Sequence, residues 1–260
     1  MEIWSHRGRA SPCEFGNSTR SFISALNMNI TGIETDICFT PDNKIVVYHP
    51  RSTKPDLAEM RWKDISNSIF KIPTLDEFLD LFGLYPDKKC CLHIQQDSKA
   101  LISMAIDRIA HYKLQSRVYI TAFQARVPLP PFRMETNCET LLYAKQTCPE
   151  IKTHMMAVWP FNLPRLADKY QPDAISFGWL QEPAIVRMAS KSLFKTIATI
   201  SDIKRQVETV KDMGIKVWGG ICNEPEEMLY FIDLGVDGIV TDDPTTLIDL
   251  VSENPALENK

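Results

Sequence analysis

Three observations predict an α/β fold closed as a (β/α)8 barrel. Short apolar runs alternate with amphipathic helical segments along the chain, the strand-like runs number eight, and strands that alternate with helices pair in parallel through right-handed crossovers. The length of 260 residues with 44% hydrophobic content is enough for one such barrel to bury a full core. A single domain over residues 1–260 is therefore expected.

Ile3-Trp4 opens the first strand, and His6-Arg7-Gly8 follows before a helix entered at Asn17-Ser18-Thr19. Gly32-Ile-Glu-Thr-Asp-Ile-Cys-Phe39 reads as the second strand. Pro41-Asp42-Asn43-Lys44 is a turn signal, and Ile45-Val-Val-Tyr-His49 is rich in β-branched and aromatic residues, so the two runs predict a β-hairpin following strand two. A two-residue loop of Asp42 and Asn43 places Asp36 directly across from His49, on one face. The segment Arg51 to Lys71 has no clean period and reads as a small polar insert. In Pro73-Thr-Leu-Asp-Glu-Phe-Leu-Asp-Leu-Phe82, Thr74 caps a helix, Asp76 and Glu77 suit its positive end, and Leu75, Phe78, Leu79 and Phe82 form its buried stripe.

The alternation continues with a strand at Cys90 to Ile94, a helix from about Ser98 to Tyr112, a strand at Val118 to Thr121, a helix before Cys148 and a strand at His154 to Val158. A helix near Leu163 to Tyr170, a strand at Ala174 to Phe177 and a helix from Glu182 come next. Asp202 to Met213 is amphipathic and stops at Gly214, as a helix does at a residue free to turn left-handed. A strand at Ile215 to Trp218, a helix from Glu226 to Leu234 closed by Gly235, and a strand at Gly238 to Val240 complete the count. Phe194 to Ile200 is read as helix or connection rather than a ninth strand, because periodicity does not separate the two in so short an apolar run.

Composition excludes several function classes. Net charge is −4, with 29 basic and 33 acidic residues interspersed, so no basic stripe exists for nucleic acid. No apolar stretch reaches the ~20 residues of a membrane span, and no stable membrane insertion is expected. The N-terminus enters a strand without a signal-like apolar region, which points to a cytoplasmic protein. Seven cysteines, Cys13, Cys38, Cys90, Cys91, Cys138, Cys148 and Cys222, show neither C-x-x-C nor zinc spacing and read as free thiols in a reducing compartment.

The chemistry concentrates early. Glu34 and Asp36, two residues apart on one strand, share a face, and the hairpin adds an imidazole. Two carboxylates and a histidine are the composition of a metal-assisted acid–base site. The competing reading, a solvated edge hairpin, fits poorly with Ile33, Ile37 and Val47. Barrel active sites lie at the C-terminal strand ends, a rule that selects His6 and Arg7, Glu34 and Asp36, His93 to Asp97, and Trp218 to Asn223. His111 reads as a helix-surface residue, and His154 as pointing outward or into the barrel floor.

His6-Arg7-Gly8, Asn17-Ser18-Thr19, Ile33-Glu-Thr-Asp36, Thr40-Pro-Asp42, Val46-Val-Tyr-His49, Ile72-Pro-Thr-Leu75 and Gly235-Val-Asp-Gly-Ile-Val-Thr-Asp242 together resemble the glycerophosphodiester phosphodiesterase family, in order and spacing over most of the chain. The resemblance implies a TIM barrel with a short insertion after the hairpin, and metal-dependent hydrolysis of a small-molecule glycerophosphodiester to glycerol 3-phosphate and an alcohol. It implies His6 and His49 as the acid–base pair, Glu34 and Asp36 as ligands of a divalent cation, Mg2+ or Ca2+, Arg7 as a phosphate contact and Trp218 as an aromatic near the substrate. The chain also departs from the pattern. The family's Ile-Glu-x-Lys at strand three is Leu92-His-Ile-Gln95-Gln96-Asp97, so Gln95 takes the place of the third metal ligand and Asp97 that of the lysine. His-Asp becomes His49-Pro50, and Trp-Thr-x-Asn becomes Trp218-Gly-Gly-Ile-Cys-Asn223. Two other readings stand beside the hydrolase: a phospholipase D-like lyase of the sphingomyelinase D type, and a catalytically silent barrel that binds a phosphorylated ligand.

Overall fold

Trp4 pairs in register with Gly32 on one side and Val240 on the other, so the first strand joins the second to the last and the sheet closes. The structure, a computed structural model, describes residues 1–50, 59–66, 72–96, 98–124, 138–157, 162–181 and 184–253. Eight parallel strands form the barrel: β1 (Glu2–Ser5), β2 (Gly32–Phe39), then, after the hairpin strand β3 (Ile45–Val47), β4 (Lys89–Ile94), β5 (Val118–Gln124), β6 (Lys152–Ala157), β7 (Ala174–Phe177), β8 (Lys216–Gly220) and β9 (Gly238–Thr241). Only β3 runs antiparallel, on β2. The expected alternation is thus observed, strand for strand.

Around the barrel lie α1 (Thr19–Leu26), α2 (Trp62–Ile65), α3 (Leu75–Gly83), α4 (Lys99–His111), α5 (Glu139–Thr147), α6 (Leu163–Tyr170), α7 (Ala184–Ile200), α8 (Ile203–Asp212), α9 (Pro225–Asp233) and α10 (Pro244–Ser252). Their starts follow from side-chain caps: Ser18 and Thr74 each accept from the backbone N–H three residues on, with Ser21 and Glu77 reaching back, which satisfies donors the first turn leaves open. α4 buries Leu101, Ile102, Ala105, Ile106 and Ile109, the stripe that a 3.6-residue period lays against a sheet. Phe194 to Ile200 is helical, the C-terminal part of α7. Phe194 packs there against Phe177 and Trp179. The sequence expectation lacks α10, although Asp243 accepts from Thr246 N and Pro244 takes the first helical position. Most of the expected insert, and all of Asp97, lies outside the described residues.

Large side chains fill the barrel floor. Trp4, Cys91, Tyr119, Ala174, Trp218 and Val240 pack together, with the Trp4 and Trp218 ring centres 4.5 Å apart. Both indole N–H groups donate to Oε2 of Glu2, at 3.3 and 2.9 Å, while Lys89 and Lys216 pair with its Oε1. Glu2 thereby pays no unpaired-charge penalty for closing the bottom of the barrel, and the opposite, C-terminal end is left for chemistry.

Candidate active site

β1 ends in a single tight turn, His6–Gly8, with Arg7 and Gly8 both left-handed at φ 54° and 62°. A Cβ on Gly8 would stand 2.3 Å from Cδ1 of Phe22, so glycine answers both the backbone angle and the packing. The turn places the His6 and Arg7 side chains over the ends of β2 and β4. There they line a cleft of about 420 Å3 with Glu34, Asp36, His49, His93 and Gln95. Six of the seven residues expected in the site meet in it.

The hairpin reaches this result by a different register from the one expected. Ile37 pairs with Val47 and Phe39 with Ile45, Thr40 N donates to Lys44 O, and Asn43 is left-handed at φ 58°. The loop therefore has three residues, Pro41 to Asn43, and Asp36 lies opposite Tyr48, whose N–H donates to Asp36 O. Asn43 takes up the positive φ that such loops require, which adds one residue to the loop. His49 follows the end of β3 and enters the cleft from a turn rather than from a ladder position across from Asp36.

Glu34 and Asp36 are buried, at 4% and 1% exposure, and their partners define the centre. Arg7 N donates to Glu34 Oε2 at 3.1 Å, and Asn17 Nδ2 donates to Asp36 Oδ2 at 2.8 Å. Arg7 Nε pairs with the same Oδ2 at 3.2 Å. His93 Nδ1 lies 3.1 Å from Asp36 Oδ1 and 3.8 Å from Glu34 Oε1. Burial raises the Glu34 carboxyl well above the usual range, and the neighbouring Asp36 charge adds to it. Burial opposes ionisation of Asp36 too, but the hydrogen bond to His93 and the charges of Arg7, His93 and His49 outweigh it and hold that carboxyl far below the usual range. Two adjacent buried carboxylates, one of them disfavoured as an anion, are a site that lacks positive charge.

One ligand atom from each of Glu34, Asp36 and His93 falls within 4.8 Å of the others, the grouping among the described residues that suits a metal ion. These donors fit a divalent cation: hard carboxylate oxygens with one imidazole nitrogen. Gln95, expected as third ligand, instead sets its amide against Asp36 and His93, with Nε2 2.8 Å from His93 Nδ1. His93 shares the strand face of Gln95 and occupies the position between the two carboxylates. Its even spacing from Gln95 was the available signal.

A second missed group is Asp242, at the end of β9. His6 Nδ1 lies 2.8 Å from Asp242 Oδ1, Arg9 Nη1 donates to the same oxygen at 2.9 Å, and Asn223 Nδ2 donates to Oδ2 at 2.9 Å. Burial opposes its ionisation, but the His6 hydrogen bond and charge, Arg9 and Asn223 hold Asp242 well below the usual carboxylate range. A carboxylate on Nδ1 requires the proton there, which leaves Nε2 of His6 free to accept one. Burial lowers the His6 pKa and Asp242 partly restores it, so the imidazole is neutral near pH 7. His49 is also lowered by burial, against the raising influence of Asp36.

Trp218 departs from its expected place. It is fully buried, its N–H belongs to Glu2, and only its ring faces upward, against His154 at 4.6 Å. His154 points into the barrel interior, with Nδ1 3.2 Å from Thr121 Oγ1. His111 is exposed at the end of α4. All seven cysteines are free and six are buried.

The chain matches the Glycerophosphoryl diester phosphodiesterase family over residues 6–246. A glycerophosphodiester phosphodiesterase of Caldanaerobacter subterraneus subsp. tengcongensis is 28% identical, over 96% of this chain and 97% of that protein. Among solved structures, a glycerophosphodiester phosphodiesterase from Parabacteroides distasonis superposes with a TM-score of 0.72 at 18% identity, covering 97% of both chains. A phosphodiesterase from Oleispira antarctica, in complex with the product sn-glycerol-3-phosphate, does so with 0.69 at 17% identity, again over 97% of each chain.

Proposed function

The chain belongs to the Glycerophosphoryl diester phosphodiesterase family, and from that membership we propose that it hydrolyses glycerophosphodiesters to glycerol 3-phosphate and an alcohol, as a single catalytic barrel in the cytoplasm. The observation that carries the reading is the juxtaposition, in one cleft, of an Asp242-oriented imidazole and a buried carboxylate pair short of positive charge. The free thiols support a reducing compartment. The glycerol 3-phosphate complex of the Oleispira antarctica enzyme supports the small-molecule substrate.

Glu34, Asp36 and His93 would hold the divalent cation, with the Gln95 amide beside them. The carboxylates admit Mg2+ or Ca2+, and the imidazole broadens the choice toward Mn2+ or Zn2+. When bound, the ion supplies charge neutralisation for the phosphoryl oxygens. The protein's own groups do the proton work. His6 accepts the nucleophile's proton at Nε2, and Asp242 stabilises the imidazolium that results, in the manner of any carboxylate-backed histidine base. His49 donates to the leaving alkoxide, its protonated form favoured by the arriving phosphate anion. Arg7, now folded onto Asp36, presents a planar fork that suits phosphate oxygens once the metal relieves the carboxylate charge. The silent-barrel reading accounts poorly for Asp242, since a site that moves no proton has no need of an oriented base.

The test is release of glycerol 3-phosphate from glycerophosphocholine and glycerophosphoethanolamine in Mg2+, Ca2+ or Mn2+, with and without EDTA. Turnover that chelation abolishes supports the proposal. Full activity in excess EDTA with metal content checked would overturn the metal-dependent reading, and inactivity toward the whole panel would overturn the hydrolase reading.

A further inference from the structure

A second, smaller cavity of about 80 Å3 adjoins the catalytic cleft, and the two share His6, Glu34, Phe123, Met156 and Ile221. The two lobes differ in chemistry. The larger holds Arg7, Asp36, His49 and His93. Beyond the shared rim, the smaller is walled by Trp4, Phe177, Leu180, Trp218 and Val240, with Ser176, His154 and Trp179 as its polar-atom carriers. His154 and Trp179 are 2% and 4% exposed, yet His154 Nε2 and Trp179 Nε1 have no hydrogen-bond partner among the described residues. Buried polar atoms in native proteins are nearly always satisfied, so two orphans on the wall of one cavity beside a reaction centre mark a ligand position.

Resting on the hydrolase reading, we infer that this lobe binds the glycerol end of the substrate, with Trp179 and His154 reading its hydroxyls, while the other alcohol extends into the larger cleft. An indole N–H is a donor only and needs an acceptor oxygen. A hydroxyl supplies one, whereas the quaternary ammonium of choline and an alkyl chain do not. His154 is neutral, because burial holds it at about 3, so Nε2 meets a hydroxyl as a neutral partner. The lobe contains no carboxylate apart from Glu34 at the shared rim, so nothing in it is built for a cation. Gly220 is part of the wall, and a Cβ there would stand 2.4 Å from Val240 O. The consequence is strict recognition of unacylated glycerol and tolerance of varied alcohols on the other ester. Trp179 is held by stacking on Phe231 at 5.1 Å and by the edge of Phe194 at 5.4 Å, contacts that a phenylalanine largely keeps.

Calorimetric titration of sn-glycerol 3-phosphate and of ethyl phosphate, which carries the same charge without hydroxyls, decides the matter in wild type, Trp179→Phe and His154→Phe. In Mg2+ buffer, wild type should prefer glycerol 3-phosphate by at least about tenfold. Trp179→Phe should bring that ratio close to one with ethyl phosphate affinity unchanged, and His154→Phe should lower it in the same way. A wild type without preference, or a folded Trp179→Phe that keeps the full ratio, overturns the inference. Turnover of lysophosphatidylcholine as fast as glycerophosphocholine also overturns it. Binding is read without turnover, so an inactive protein that still prefers glycerol 3-phosphate overturns only the hydrolase reading, and an active one without preference overturns only this one.

Discussion

His6 and Asp242, 236 residues apart in the chain, meet at 2.8 Å through Nδ1 and Oδ1. Closure of the barrel makes the contact possible, since β1 and β9 are neighbours with Ser5 in register with Thr241. The residues that follow these two strands therefore emerge side by side at the C-terminal rim.

Replacing Asp242 by Asn removes the charge that fixes the His6 tautomer while keeping the shape. The expected loss is about 10²-fold in kcat at saturating metal, the range for a disabled acid–base group. Circular dichroism should stay unchanged. A variant with near-wild-type kcat would mean that Asp242 only braces Arg9 and Asn223.

His6→Ala and His49→Ala should each lose roughly 10²-fold or more in kcat. The His49 result bears on the hairpin directly, because His49 reaches the cleft from the turn after β3 instead of from the position opposite Asp36. Retained activity in His49→Ala would assign the leaving-group proton to another donor.

The metal centre is tested without turnover. Titrating Mn2+ and Mg2+ into His93→Ala should show weakening of at least about tenfold for Mn2+, whose preference for imidazole nitrogen exceeds that of Mg2+. Gln95→Glu should tighten both, since it adds an anionic oxygen next to Asp36. Unchanged Mn2+ affinity in His93→Ala, together with a large loss in Gln95→Ala, would return the third-ligand role to Gln95.

Stability should carry a pH signature from His154. Burial holds its imidazole at about 3 in the fold, with the positive charge of His93 acting in the same direction, against 6.5 when free. Between those values the unfolded chain binds a proton that the folded chain refuses, so stability is fully present above the unfolded pKa and falls as pH drops through the window. The gap corresponds to about 5 kcal/mol at its limit. Urea unfolding at pH 7, 6, 5 and 4 should show a shallower pH slope for His154→Phe than for wild type; parallel slopes would show that His154 does not control this window.

The alternation of elements, the parallel sheet and the pairing of Glu34 with Asp36 on one face were legible in the sequence, because all three rest on local periodicities of 2 and 3.6 residues. Helix starts at Ser18 and Thr74 and stops at Gly214 and Gly235 were legible for the same reason, since caps act within one turn. What lay beyond local patterning was decided by the tertiary structure. The hairpin register turned on whether Asn43 adopts positive φ, a choice one residue wide that moved His49 out of register with Asp36. Asp242 joined the site only because the barrel closes β9 against β1. His93 became a candidate ligand in place of Gln95 because the lean of each side chain within the cleft, which strand parity leaves open, brought the imidazole nearer to both carboxylates. Trp218 went to the floor because Glu2, from the far end of the chain, offers its buried N–H an acceptor. The unsatisfied nitrogens of His154 and Trp179 became visible only once the walls of the smaller lobe were assembled from β6 and the segment after β7, because hydrogen-bond satisfaction is a property of packed neighbours rather than of sequence spacing.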